Sequence, residues 1–313
     1  MYDLIGDIHG YASALQNLLR TMGYAQRNGT WQHQERQVIF LGDFVDRGPE
    51  QLEVVRIARR MVEAGHARVV MGNHEFNAVA WATPHAEHPH EHLRPHSAKN
   101  RHQHQAFLEQ VGEGSPAHRE IIDWFKTLPL FLELDGLRVI HACWHPRHLA
   151  TLERYTDAHN RVLPDAWPTL CCEGHEAYEA LETLLKGLEL ALPDGIEYAD
   201  KDGHIRRHVR ARWWSDGLTY RDLAMASRTV LASLPHAPVP SDLLPGYDAS
   251  KPLFVGHYWL TGEPAPLSRY IACLDYSIAA RCAKTGKGLG KLCAYRWQGE
   301  HELTTEHFVW VEE

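Results

Sequence analysis

The sequence lacks a long apolar run, a cluster of basic residues and a paired-cysteine motif. No apolar stretch approaches the ~20 residues of a membrane helix, so we expect no membrane association. The net charge is −8 without any run of Lys or Arg, which argues against nonspecific nucleic-acid binding. The six cysteines form no C-x-x-C pair and indicate reduced thiols, so a cytoplasmic location is predicted. Met1 leads directly into a predicted strand, and we therefore expect no signal peptide.

Three short polar motifs stand out against this background. G-D-I-H-G begins at Gly6, G-D-F-V-D-R-G begins at Gly42, and G-N-H-E begins at Gly72. Each motif follows a short apolar stretch that predicts a buried strand, and helical patterns lie between the strands. This β-α-β-α-β order predicts a parallel sheet covered by helices. Ligands bind at the carboxyl edge of such sheets, so we expect the polar side chains to meet there.

The three motifs, in this order and at these spacings, resemble those of the calcineurin-like metallophosphoesterases. The Asp-Arg-Gly and Asn-His-Glu triplets within them are most similar to the motifs of one branch of that family. This branch contains the serine/threonine protein phosphatases and the bacterial symmetrical diadenosine tetraphosphatases. The resemblance covers about half of the chain and continues at His141 and at Gly256-His257, which each follow an apolar strand. It implies an α/β fold, specifically a four-layer metallophosphoesterase sandwich with two mixed β-sheets flanked by helices.

The resemblance also implies a site for two divalent metal ions. Taken alone, a histidine at a strand end is more often a structural residue, but six candidates that each follow a strand outweigh that interpretation. Imidazole, carboxylate and amide donors suit Mn best, with Fe or Zn as the alternatives. The implied ligands are Asp7, His9 and the bridging Asp43 for the first metal, and Asp43, Asn73, His141 and His257 for the second.

Three further residues are predicted to act on the substrate. The resemblance and the chemistry together favour His74 as the proton donor to the departing oxygen, with Asp46 orienting it. Arg47 is predicted to grip phosphate oxygens with its planar guanidinium. His145 is interpreted as a structural or supporting residue. The family's second phosphate-binding arginine stays open among three candidates, namely Arg212, Arg221 and Arg228.

We expect a single domain over residues 1–313, with insertions on the catalytic rim at about 83–118 and 146–250. The first insertion holds eight histidines, and we interpret it as a solvated segment rather than a third metal site. A helix is predicted over 99–111 with Phe107 and Leu108 facing inward. Both insertions begin just after strands that end in candidate ligands, so we expect them to form the walls of the site. Three basic residues of the first insertion could then bind additional phosphates: Arg94, Lys99 and Arg101.

These features predict a two-metal phosphoesterase that hydrolyses a small phosphoester or nucleotide polyphosphate by in-line attack of a metal-bound hydroxide. The partner is then a small phosphorylated substrate. The first alternative is a serine/threonine phosphoprotein phosphatase. The second is a non-catalytic protein that uses bound metal for binding or sensing. The presence of Asp46, Arg47 and His74 argues against that second alternative, because a pure binding module requires none of them.

Overall fold

The first quarter of the chain alternates strands and helices. The computed structural model describes residues 1–88, 90–199, 204–282 and 286–312. Parallel pairing of β1 with β4 and of β4 with β5 confirms the predicted β-α-β-α-β run. The elements of this part are β1 (Tyr2–Ile5), α1 (Ala12–Thr21), the hairpin β2 (Ala25–Arg27) and β3 (Thr30–Gln32), β4 (Gln37–Phe40), α2 (Gln51–Glu63), β5 (Ala67–Val69) and α3 (Asn73–Ala82).

The middle of the chain is mainly helical, and strands return near its end. The predicted helix over 99–111 is present and begins one residue earlier. The middle elements are α4 (Ala98–Val111), α5 (Pro116–Phe125), β6 (Phe131–Glu133), β7 (Arg138–Ile140), α6 (Pro146–Leu152), α7 (Trp167–Leu170), α8 (Glu176–Lys186), β8 (Glu189–Ala191), β9 (Tyr198–Ala199), β10 (Ile205–Arg206), β11 (His208–Arg210), α9 (Tyr220–Leu223) and α10 (Arg228–Ser233). The last strands are β12 (Leu253–Val255), β13 (Ile271–Cys273), β14 (Asp275–Tyr276), β15 (Lys291–Trp297) and β16 (Phe308–Glu312).

Two mixed sheets form the centre of the molecule. In the first sheet, β15 runs antiparallel to β1 and also pairs with β14 and β16. In the second sheet, β12 runs parallel to β7 and β13, and β6 is antiparallel to β7. Helices α1 and α2 pack on the first sheet, and α8 meets the end of β7 through the Leu184 carbonyl. The predicted α/β sandwich of two mixed sheets flanked by helices is confirmed.

Side chains alternate between two hydrophobic layers along the central strands. One layer lies between the sheets, and the other is shared with the helices. Both faces of these strands are therefore buried, which explains why their sequences are continuously apolar instead of alternating with polar residues. Inter-sheet residues and their helix-facing neighbours are Leu4 and Ile5, Ile39 and Phe40, Val139 and Ile140, and Phe254 and Val255. Among the described residues, no helix is long and apolar enough to cross a bilayer.

Candidate metal centre

The loops after the central strands hold their polar side chains on strained backbone. Five of the sequence-predicted site residues have φ between 48° and 73°, a region that costs ~1–3 kcal/mol per non-glycine residue. The loops also approach each other closely, since a Cβ on Gly72 would lie 2.2 Å from Asp43 Oδ1. Such strain persists only where the surrounding structure imposes it, and it is concentrated at functional sites. The five residues are His9, Asp43, Asp46, Arg47 and His257.

The first group of candidate ligands lies between β1 and β4. His9 Nε2 is 3.7 Å from Asp43 Oδ2 and 4.0 Å from Asp7 Oδ2. His9 Nδ1 is 3.0 Å from the Val45 carbonyl, so Nδ1 carries the proton and Nε2 keeps its lone pair. That Nε2 is buried without a hydrogen-bond partner among the described residues. An imidazole held in this way, with its lone pair aimed at two carboxylates, fits a metal ligand.

The second group lies on the other side of Asp43. His141 Nε2 is 3.4 Å from Asp43 Oδ2 and 3.1 Å from Asn73 Oδ1, while its Nδ1 donates to the Leu41 carbonyl at 2.7 Å. Asn73 Oδ1 is also 2.9 Å from His257 Nδ1. The His257 Nε2 is another buried nitrogen without a partner in the described part of the chain. The structure therefore brings all six sequence-predicted ligands together around Asp43.

The electrostatics of the cluster are those expected of a cation site. Burial raises the pKa of Asp7 well above its ordinary value, and the nearby Asp275 carboxylate adds to the effect. Burial alone would lower the pKa of His141, but the Asp43 carboxylate outweighs it and raises that pKa to about 10. Burial, with a contribution from His74, lowers the pKa of His9 to about 3. The buried carboxylates therefore favour positive charge beside them, and carboxylate and imidazole donors together form a ligand set that fits divalent cations.

His74 lies at the same site but makes a different contact. Its Nδ1 is 2.5 Å from Asp46 Oδ2, while its Nε2 is 3.8 Å from Asp43 Oδ2. By distance alone His74 belongs with the first group of ligands. Asp46 occupies its Nδ1, however, and leaves only Nε2 to face the site. Burial would lower the pKa of His74, but the Asp43 and Asp46 carboxylates raise it overall.

Asp46 is bonded by two histidines. Its Oδ2 faces His74, and its Oδ1 is 2.7 Å from Nδ1 of His104, a residue of α4. Burial alone would raise the pKa of Asp46, yet the hydrogen bonds of His104 and His74 hold it well below its ordinary range. His104 is a site residue that the sequence reasoning missed. The prediction that the histidine-rich insertion is a solvated segment is wrong for His104 and His118, which are buried.

Glu75 closes the loops around the centre. Its carboxylate accepts the backbone N–H groups of Asp43 at 2.7 Å, Phe44 at 2.8 Å and Gly72 at 3.1 Å. Burial and the neighbouring Asp43 raise the pKa of Glu75 to about 7. Asp275 holds the C-terminal loop similarly, accepting from the Trp259 and Ser277 N–H groups. His145 instead caps α6, where its side chain accepts from the His148 N–H, consistent with a structural role.

A cavity of about 720 Å³ opens over the cluster. Arg94 and Lys99 of the first predicted insertion line it, as expected, but Arg101 does not and instead pairs with Glu113 at 3.0 Å. The predicted second insertion contributes Lys186, His204, Arg206 and Arg210.

The arginines left open by the sequence lie elsewhere. Arg212 and Arg221 donate to backbone carbonyls. In the described part of the chain, the residues that line this cavity do not include Arg212, Arg221 or Arg228. Arg210 reaches the cavity instead, from the end of β11, and no motif had indicated it.

The sequence profile of a family described as calcineurin-like phosphoesterase matches residues 2–265. The chain is 32% identical over 149 residues to an asymmetrical bis(5′-nucleosyl)-tetraphosphatase of Oceanobacillus iheyensis, covering 47% of this chain and 57% of that protein. It is 30% identical over 211 residues to a symmetrical bis(5′-nucleosyl)-tetraphosphatase of Vibrio cholerae, covering 61% of this chain and 68% of that protein. The chain thus spans little more than half the length of the first relative.

Solved structures share the fold at low sequence identity. A protein serine/threonine phosphatase from Saccharomyces cerevisiae superposes with a TM-score of 0.51 at 14% identity, covering 100% of this chain and 79% of that one. A cold-active protein-tyrosine phosphatase of a psychrophilic Shewanella gives 0.50 at 16% identity, covering 94% and 75%. These likenesses concern the fold alone.

Proposed function

Because the chain belongs to the calcineurin-like phosphoesterase family, we propose that it hydrolyses a small phosphoester, specifically a nucleotide polyphosphate. The observation that carries this proposal is the cavity over the Asp43 cluster, which basic side chains from both insertions line. The two relatives described above are named for hydrolysis of bis(5′-nucleosyl) tetraphosphates, which agrees with this substrate class.

Two divalent cations are the cofactor that the family implies. We assign the first to Asp7, His9 and Asp43, and the second to Asp43, Asn73, His141 and His257. Bound there, the cations supply charge neutralisation for phosphoryl oxygens and Lewis-acid activation of a water nucleophile. The mixture of imidazole and carboxylate donors favours Mn, with Fe or Zn as alternatives. Asp43 is the candidate bridge because its carboxylate is close to both groups of histidines.

The chain's own residues divide the remaining tasks. His74 holds a proton on Nε2, facing the site, and gives it to the departing oxygen. Asp46 fixes the orientation of that imidazole by accepting from Nδ1. Arg47 binds non-bridging phosphate oxygens through its fork of N–H donors. No nucleophilic side chain is needed in this scheme, so hydrolysis passes through no covalent enzyme intermediate.

The charge of the cavity favours a polyphosphate over a phosphopeptide. Besides Arg47, five Lys or Arg side chains of the described residues line it, and two of these are paired with acids, Lys186 with Glu182 and Arg210 with Glu189. The five are Arg94, Lys99, Lys186, Arg206 and Arg210. Two metals can neutralise one reacting phosphoryl group, and further basic residues then suit additional phosphates. The cavity volume of about 720 Å³ lies within the range typical of small-molecule sites, roughly 300–1,000 Å³. A phosphopeptide phosphatase is the alternative function. The cytoplasmic location stays a prediction.

A substrate panel tests the proposal. Mn-reconstituted protein is assayed for kcat/KM on diadenosine tetraphosphate, p-nitrophenyl phosphate and a phosphothreonine peptide at one pH and ionic strength. We expect diadenosine tetraphosphate to give the highest value. If the phosphopeptide is the best substrate, the alternative function replaces this one.

A further inference from the structure

Asp46 is shared between two imidazoles that come from different parts of the chain. His74 stands at the start of α3, and His104 lies nearly two turns into α4, in the histidine-rich insertion. Each donates through Nδ1 to a different oxygen of the same carboxylate, at 2.5 Å and 2.7 Å. The carboxylate is 2% exposed and His104 is 4% exposed, so solvent does not compete for these bonds.

Helix α4 is fixed to the loop that carries Asp46 at a second point. Gln110 accepts from the Gln51 N–H at 2.8 Å and donates to the Pro49 carbonyl at 2.6 Å. Gln51 in turn accepts the Asp46 N–H at 2.7 Å and donates to the Gly48 carbonyl at 2.7 Å. Asp46 is therefore held from its backbone by Gln51 and from its side chain by His104. Without His104, one buried carboxylate oxygen would lose its donor, and the carboxylate could rotate away from His74.

We propose that His104 is a positioning residue, which acts on the proton donor His74 by fixing the carboxylate of Asp46. The inference rests on the role of His74 in the proposed function. The histidine-rich insertion then contributes to the reaction as well as to the wall of the cavity. His104 lies beside Asp46 in the wall of the cavity and is only 4% exposed, and its Nε2 is buried without a partner among the described residues, so we assign it an action through Asp46 and not on the substrate itself.

Packing is the other role that His104 could have. Its ring lies 5.0 Å from that of Phe107 and 6.1 Å from that of Trp81, within an apolar cluster. Two substitutions separate the roles. His104→Phe keeps an aromatic ring but removes the donor. His104→Asn loses the ring but places an amide N–H near the position of Nδ1. His102→Phe, on the exposed face of the same helix, is the matched control.

The experiment compares kcat and KM on a substrate with a poor leaving group, an alkyl phosphate, and on one with a good leaving group, p-nitrophenyl phosphate. Wild type, the three variants and His74→Asn are Mn-reconstituted, and metal content and melting temperature are measured for each. His104→Leu replaces His104→Phe if the latter does not fold.

We expect His104→Phe to lower kcat on the alkyl phosphate by about 10- to 100-fold, less than the ~10²–10⁴ of a lost general acid, with unchanged KM and metal content. The loss on p-nitrophenyl phosphate should be within about threefold, since that leaving group needs little protonation. His104→Asn should restore most of the alkyl phosphate activity.

Equal losses on both substrates, full activity in His104→Phe, or an Asn variant no better than Phe would overturn the positioning role. If His74→Asn itself shows no leaving-group dependence, the proposed proton-donor role of His74 fails instead. The two failures are therefore distinguishable.

Discussion

The guanidinium of Arg47 lies over the indole of Trp259, with Cζ 4.1 Å from the ring centroid. Both residues have left-handed backbone, with φ of 73° and 50°. The backbone N–H of Trp259 donates to Asp275 Oδ2 at 2.7 Å, and this hydrogen bond fixes the loop that carries the indole. A residue near the last candidate ligand, His257, thus sets the position of the arginine proposed to bind phosphate.

Trp259→Ala should weaken substrate binding because it removes the aromatic face beneath Arg47. A cation–π contact is worth ~0.5–2 kcal/mol, so we expect KM to rise by about 2- to 30-fold with little change in kcat. Trp259→Phe keeps a smaller aromatic face and should give an intermediate KM. Steady-state kinetics check this, with metal content measured in parallel because Trp259 is close to His257. An unchanged KM in the alanine variant would show that Arg47 does not depend on the indole.

Arg94→Ala should reduce kcat/KM for diadenosine tetraphosphate by about 10- to 100-fold, since a hydrogen bond to a charged group is worth ~1.5–3 kcal/mol. The value for p-nitrophenyl phosphate should change little, because its single phosphate is held at the metals. Arg101→Ala is the matched control from the same insertion, as Arg101 pairs with Glu113 and does not line the cavity. A similar loss on both substrates would contradict a role for Arg94 in binding additional phosphates.

Glu75→Gln should destabilise the protein and weaken metal binding. The carboxylate accepts three backbone N–H groups, and an amide can accept only on its oxygen side. At least one buried N–H then loses its acceptor, which costs ~1–3 kcal/mol in the free energy of unfolding. Chemical denaturation measures this loss, and Mn²⁺ titration should show weaker affinity because the Asp43 loop is released. A variant with wild-type stability and Mn²⁺ affinity would show that Glu75 does not hold the loops.

The positions of the candidate metal ligands were predictable because each depends on a short local pattern in the sequence. An apolar strand followed by Asp, Asn or His fixes where each side chain emerges, and the parallel order places the ends together. Strand boundaries were less accurate: the apolar stretch before the Gly72 motif continues to Met71, but β5 ends at Val69. Met71 leaves the sheet to donate to the Pro129 carbonyl, a partner distant in the sequence.

The missed residues depend on contacts that no local pattern encodes. His104 had a signal, because it precedes Phe107 and Leu108 by three and four positions and so shares their buried face. Its contact with Asp46 follows only from how α4 packs against α2. Arg210 had no signal, since its strand has three residues and pairs with the equally short β8. The position of a short strand within a long insertion is set by tertiary packing.

Metal content and turnover, measured together on wild type and Asp43→Asn, test the central claim most directly. After Mn reconstitution we expect about two metal ions per chain in wild type, as in a two-metal phosphoesterase site, and turnover that a chelator abolishes and Mn²⁺ restores. Asp43→Asn removes the charged oxygen shared by both groups of histidines, so it should lose metal at both positions and lose activity with it. Wild-type metal content with normal turnover in this variant would contradict the assignment of Asp43 as the bridge.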